Sequence, residues 1–499
     1  MASRKPLAVW LYGTKIATLS ENSDSRDSPD GGIGLAWSEE GYDRWGSGSR
    51  VMSHLLPITA PPLTVPARVS TKLSSGPHPA RVKVCLDGLL PEGNARTNYA
   101  IEAGLRPEDT YGLIARYGRD TAGALVFQPP HEPEPVRVGS YQPVTDAELG
   151  QRLRDAHKHA PGGANDRGRD SSTLAGLQPK ITLHRSEDGL WQACLDGAPS
   201  SWIVKVGQPE GSPAADVIDT EVLSLDIART AAMAAAHAEI HTFDGVRSIA
   251  VRRYDRRESP NGLDRIHQED LAQALGLNTE DPLRKFQRGN RMPSLAHAAN
   301  VLRSSGSEPD DLLRLTTLNY TLGNIDAHAK NISFLRNEDG TATLAPAYDI
   351  AMHMHHDEEQ HRSALDINGR IYYTDITAED LVAEGTHWGL PTKRAQRIVR
   401  DTLEAVRAAI DDLDPTAYPG VRDLAWRTVQ RRIDAALPSI ALARQVATPP
   451  GRPMPRTASP TDRQDRMARG ISGSSRFSER QRHEPNIHFP GPGAATRRR

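Results

Sequence analysis

Asp326 and Asn331 stand five positions apart in the stretch Gly323-Asn324-Ile325-Asp326-Ala327-His328-Ala329-Lys330-Asn331-Ile332-Ser333-Phe334. A second carboxylate, Asp349, follows eighteen positions later in Leu344-Ala345-Pro346-Ala347-Tyr348-Asp349-Ile350. Asp, Asn and a later Asp, in that order, are what phosphoryl transfer asks of a protein. One carboxylate accepts or orients a hydroxyl proton, and two further oxygen donors suit magnesium. Asp326 is cast as the base, Asn331 and Asp349 as the metal ligands. Lys330, between them, is a cation for the transferred phosphate. A single Asp/Asn pair at this spacing is far more often a turn or a helix cap. The reading therefore depends on what the rest of the chain supplies.

It supplies independent parts in the order a protein kinase uses. Ser201-Trp202-Ile203-Val204-Lys205-Val206 has the β-branched and aromatic content of a buried strand and carries Lys205, placed to meet nucleotide phosphates. A lone lysine on an apolar strand is ordinarily an edge residue with a solvated tip. Glu221, sixteen positions on and near the start of an expected helix, is placed to pair with it. The alternative for Glu221 is an acid favoured by the first helical turn. Thr173-Leu174-Ala175-Gly176-Leu177-Gln178-Pro179-Lys180 sits where a phosphate-covering loop belongs, with a single glycine.

The elements that must position these residues follow from punctuation and periodicity. Residues 7–20 read as two strands about a turn at Gly13-Thr14, and Leu35-Ala36-Trp37 as a third. A corner at 86–94 precedes a helix from about Ala95. Residues 110–118 read as a helix ending at Gly118, and 119–127 as a strand. The prolines of 128–136 mark a boundary. Strands are expected at 180–183, 191–194, 201–206 and 248–255, and a helix at Val217–Ala235. From residue 265 the pattern is mostly helical: 268–276, 295–304, 309–323, 378–384, 393–411 and 420–444. Beyond about residue 445 the Pro, Gly, Ser and Arg content predicts disorder.

The 499 residues are 37% apolar and 5% aromatic with a net charge of −2, so charge alone does not point to nucleic acid. Cys85 and Cys194 are far apart, which argues against a disulfide framework or structural zinc site and for a cytoplasmic setting. No apolar run approaches membrane-spanning length. His353, His355, His356 and His361 cluster after Asp349. A solvated loop is expected there, because no cysteine or tight helical His spacing supports a metal site.

Leu174-Ala175-Gly176-Leu177-Gln178-Pro179-Lys180, Arg265-Ile266-His267-Gln268-Glu269-Asp270, residues 323–331 and Ala345-Pro346-Ala347-Tyr348-Asp349 together resemble the serine/threonine kinase toxins of the HipA family. Leu86-Asp87-Gly88-Leu89-Leu90-Pro91-Glu92-Gly93 and Gly118-Arg119-Asp120-Thr121-Ala122-Gly123-Ala124-Leu125 look like that family's N-terminal domain. The resemblance spans about residues 7–440. It implies an α+β, protein-kinase-like two-lobe fold that binds ATP and Mg2+. The expected layout is an N-terminal subdomain at 1–135, a kinase N-lobe at 136–260, a helical C-lobe at 261–444 and the tail at 445–499.

By motif position the resemblance makes Lys205 an ATP ligand supported by Glu221, with Gly176, Gln178 and Lys180 in the phosphate loop. Arg253, Tyr254 and Asp255 fall in the hinge that holds adenine and ribose. Thr173, with Ser172 beside it, becomes an autophosphorylation candidate whose phosphate would add roughly two negative charges. The resemblance also implies a DNA-binding, HipB-like antitoxin as partner and a translation component such as an aminoacyl-tRNA synthetase as substrate. Contact with nucleic acid would then be indirect, and no membrane is involved. Two alternatives are a kinase-fold co-repressor that binds the antitoxin without significant catalysis, and a small-molecule or lipid kinase. Retention of Lys205, Asp326, Asn331 and Asp349 argues against the first.

Overall fold

The computed structural model describes residues 4–22, 32–60, 77–158, 180–289, 291–356 and 361–442. The expected phosphate-loop residues Gly176 and Gln178, the autophosphorylation candidates Ser172 and Thr173, and the 445–499 tail lie outside the described residues.

The chain opens with β1 (Leu7–Leu11), β2 (Thr14–Glu21) and β3 (Ile33–Trp37). Tyr12 and Gly13 make the β1–β2 turn in left-handed backbone, φ 50° and 73°. β4 (Val126–Gln128) closes an antiparallel sheet of order β3-β2-β1-β4. Helices α1 (Glu39–Trp45), α2 (Pro79–Asp87), α3 (Gly93–Ala103) and α4 (Thr110–Tyr117) accompany it. Leu7, Val9 and Leu11 of β1 pack with Leu86, Tyr111 and Ile114 in one core. Gly118 does follow α4 at its C-terminus. Residues 88–92 form the expected corner, between α2 and α3, and of the 119–127 strand only the end is realised.

A second antiparallel sheet has the order β5-β7-β6-β8-β10-β9. Its strands are β5 (Ser140–Pro143), β6 (Lys180–Arg185), β7 (Trp191–Leu195), β8 (Trp202–Val206), β9 (Ala238–Phe243) and β10 (Val246–Arg252). Alternation along β8 sorts its faces. Trp202, Val204 and Val206 enter a core with Leu149 and Leu153 of α5 (Asp146–Lys158). The other face meets α6 (Val217–Thr230), where Ile249 and Val251 of β10 pack on Ile218, Val222 and Leu225. Lys205 pairs directly with Ile249 and so belongs to the α6 face. α6 stops at Thr230 rather than Ala235, since Ala232 adopts φ 57°.

Beyond lie β11 (Arg256–Ser259), β12 (Gly262–Arg265) and β13 (His267–Asp270). α7 (Leu271–Leu275), α8 (Leu295–Ser304) and α9 (Asp310–Leu322) follow. Then come β14 (Ser333–Arg336), β15 (Ala342–Leu344), β16 (Arg362–Ile367), β17 (Arg370–Tyr372), α10 (Ala378–His387), α11 (Thr392–Asp412) and α12 (Asp423–Leu442). β13 and α7 replace a single expected helix at 268–276. Leu318 and Leu322 of α9, Val406 and Ile410 of α11, and Val429 and Ile433 of α12 share a core that also takes Leu223 and Ile227 of α6. Both cysteines are buried and free. Among the described residues no helix is long and apolar enough to cross a membrane.

Candidate active site

The Lys205 side chain is only 10% exposed and ends between two carboxylates. Its Nζ lies 2.9 Å from Glu221 Oε1 on α6 and 2.6 Å from Asp349 Oδ1. Burial opposes the ammonium charge, but Asp349 and Glu221 outweigh it and hold the Lys205 pKa above the lysine range. Burial likewise works against a charged Asp349, and Lys205 overrides it, leaving the carboxyl below the usual range. Asp349 has φ 55°, an uncommon left-handed backbone for a residue with a side chain. Its side chain remains 41% exposed, so the carboxylate has room for a further ligand.

The Asp349 segment is fastened on both sides. Ala347 exchanges backbone bonds with 234–236, at 2.8 Å each. Tyr348 Oη donates to Lys330 O at 2.6 Å, and Met352 N donates to Thr220 Oγ1 of α6 at 3.2 Å. Lys180 adds a second cation: it stands opposite Lys205 in the β6–β8 ladder. Burial, then repulsion by Lys205, pushes the Lys180 pKa down to about 8.

α9 delivers the loop. Gly323 ends it in left-handed backbone, φ 71°, and a Cβ there would come within 2.5 Å of Met354 Cγ. Buried Asn324 then braces the turn: its Nδ2 donates to Asn319 Oδ1 at 2.9 Å, and its Oδ1 accepts from Asp326 N at 3.3 Å. Asn331 Nδ2 donates to Asp326 O at 3.0 Å, which holds the two ends of the loop together. Asp326 itself is exposed.

Two expectations are corrected. Lys330 is not presented to a phosphate. Its ammonium is buried between Asp270 Oδ2, at 3.0 Å, and Glu92 Oε1, at 3.1 Å. Burial disfavours that charge, and the two carboxylates more than restore it, so its pKa stands above the lysine range. Nor do Arg253 and Asp255 offer side chains to a nucleotide. Arg253 Nη2 bonds Asp255 Oδ2 at 2.8 Å with both side chains nearly inaccessible, and Arg256 Nη2 meets Asp120 Oδ1 at 2.7 Å. Gly123 N and Ser200 Oγ donate to the same carboxylates, at 2.7 and 2.6 Å. The Gly118–Gly123 and Arg253–Arg256 motifs thus pin the N-terminal sheet to the end of β10. Tyr254 bonds Gln268 through its hydroxyl and lies against Tyr348, ring centroids 5.4 Å apart.

The histidines after Asp349 also depart from expectation. His355 and His356 turn inward rather than into solvent. His355 Nε2 lies 2.7 Å from Asp216 Oδ2 and His356 Nε2 lies 2.9 Å from Asp216 Oδ1, at the N-terminus of α6. His353 lies half-buried beside them, its ring centroid 6.0 Å from that of His356. Desolvation, reinforced by His356 and His355, pushes its pKa down to about 4.

Glu92, Asp270 and Asp216 are the residues that sequence reasoning left without roles. Each is joined to its partner only by the fold, so no local spacing announced it.

The HipA N-terminal domain matches residues 7–128 and the HipA-like C-terminal domain matches residues 172–410. The serine/threonine-protein kinase toxin HipA of Shewanella oneidensis is 30% identical over 355 residues, covering 67% of this chain and 78% of that protein. The chain belongs to the HipA family. It is a serine/threonine-protein kinase of that toxin type. The protein Y4mE of Sinorhizobium fredii is 29% identical over 422 residues, 81% of this chain and 92% of that one. The crystallised HipA of Shewanella oneidensis, solved with HipB and operator DNA, superposes with a TM-score of 0.67 at 21% identity, covering 89% of this chain and all of that one. The kinase-like α+β fold implied by the sequence is thereby established.

Proposed function

We propose that this HipA-family kinase uses ATP and Mg2+ to phosphorylate a hydroxyl on a translation component such as an aminoacyl-tRNA synthetase, and that it restrains itself by autophosphorylation. The observation that carries the chemistry is Lys205 held at 2.9 Å from Glu221 and 2.6 Å from Asp349. This arrangement orients a cation and frees an oxygen of Asp349 for a metal.

The donor set fits the group. Asp349 is a half-exposed carboxylate and Asn331 a neutral amide oxygen, the hard ligands magnesium prefers. Lys180 and Lys205 supply paired positive charge where an anionic ligand would relieve their repulsion. When bound, magnesium would neutralise charge on the phosphates. Asp326, exposed at the loop tip, orients the attacking hydroxyl and takes its proton. Lys330 acts at one remove: its bonds to Asp270 and Glu92 fix the loop that carries Asp326 and Asn331. Thr173 is the first candidate for self-modification, with Ser172 beside it.

The crystallised relative is bound to HipB and operator DNA. We infer a HipB-like antitoxin for this chain too, with DNA contacted through that partner. Quantitative phosphoproteomics after induction of wild type and Asp326→Ala tests the reading. Phosphosites on a synthetase or another translation factor that appear only with wild type support it. Identical phosphoproteomes would leave a co-repressor without catalysis as the better reading.

A further inference from the structure

We propose that Asp216, His355 and His356 form a site for a divalent transition-metal cation of the zinc class, separate from the magnesium ligands. Two imidazoles and one carboxylate are a donor set suited to zinc and its neighbours and poor for magnesium. Their ligating atoms all lie within 4.8 Å of one another. Exposure is low, at 4% for the Asp216 side chain, 1% for His355 and 7% for His356.

The geometry needs little adjustment. The two carboxylate oxygens each face one ring nitrogen, at 2.7 and 2.9 Å. Tetrahedral zinc with ligands near 2.0–2.1 Å separates its donor atoms by about 3.3 Å. An ion therefore enters by opening each contact about half an ångström, and a water completes the tetrahedron. The other ring nitrogen of His355, Nδ1, is buried with no hydrogen-bond partner. Arg422 also approaches Asp216, with Nε 3.4 Å from Oδ2, but its side chain is 44% exposed and can withdraw.

Position gives the site its consequence. Asp216 stands immediately before the helix that carries Glu221, and His355 and His356 follow Asp349 on the same loop. A bound cation would tie together the two elements that hold Lys205. This consequence for phosphoryl transfer rests on the proposed function; the metal site itself does not.

The test uses the full chain, stripped with chelator and dialysed against zinc or cobalt alone, with bound metal counted by mass spectrometry. Wild type should retain one equivalent, show the visible bands of tetrahedral cobalt, and melt higher with zinc. Asp349→Asn should keep that equivalent. His355→Ala/His356→Ala should lose it, and His356→Gln, the milder change, should abolish the zinc-dependent rise in Tm. Three results would overturn the proposal: no retained metal in wild type, retention unchanged in folded His356→Gln, or loss in Asp349→Asn. None of these readouts needs kinase activity, so failure here is distinct from failure of the catalytic reading.

Discussion

Lys180 on β6 stands directly opposite Lys205 on β8, so two ammonium groups share the face that looks toward Asp349. Burial and the charge of Lys205 push the Lys180 pKa down to about 8. Nucleotide phosphates would favour the protonated form, so binding takes up a proton once the free protein begins to lose it. Affinity for ATP is expected to be flat below pH 8 and to fall above it, by up to about tenfold per pH unit. Lys180→Arg should remove the inflection. Calorimetric titrations across this range check it, and a profile equally flat in both proteins would contradict it.

Lys205 is a structural cation as well as a catalytic candidate, and the two roles separate by mutation. Lys205→Met leaves Glu221 buried without its partner and should cost about 3–5 kcal/mol of stability, the usual result of breaking a buried ion pair. Lys205→Met/Glu221→Leu removes both charges and should recover most of the lost stability without any phosphoryl transfer. Denaturant unfolding measures the first effect and labelled ATP the second. Activity in the double variant would detach Lys205 from the chemistry.

Much of the arrangement was readable in advance. The strand at 201–206, the helix ending at Gly118 and the helix before Gly323 follow from alternation, β-branching or a capping glycine, and the first hairpin turn, expected at Gly13-Thr14, forms one residue earlier at Tyr12-Gly13. Lys205 and Glu221 are paired as their kinase-like order suggests, whereas the direct Lys205–Asp349 contact emerges only from the fold. Lys330 and Arg253 depart from expectation through contacts that only the fold makes. The Lys330 partners, Glu92 and Asp270, are brought near only by tertiary packing, and Arg253, though its partner Asp255 is two positions away, is closed off from a nucleotide by the N-terminal segment at Asp120–Gly123. α5 escaped notice because only Leu149 and Leu153 of its apolar stripe reach full burial. The histidines after Asp349 looked solvated because Asp216 lies so far from them in the chain.

Lys330 is expected to behave as a loop-positioning residue. Lys330→Met strands Asp270 and Glu92 as unpaired buried acids, and should lower stability by about 3–5 kcal/mol. Asp270→Asn in that background should restore part of it, since one charge is then gone. If Lys330 instead meets the phosphate, Lys330→Met will leave the melting temperature unchanged and depress kcat alone. Thermal melts together with steady-state kinetics distinguish the two.

Asp326 is exposed on a loop braced by Asn324 and Asn331, where a base for phosphoryl transfer would have to stand. The most direct measurement follows label from γ-labelled ATP into the protein and its substrate, for wild type and Asp326→Ala, with melting curves in parallel. Wild type is expected to label in a Mg-dependent way, Asp326→Ala to lose about 10²–10⁴-fold, and the melting temperature to stay unchanged for that exposed position. Undiminished labelling by a folded Asp326→Ala protein would contradict that role.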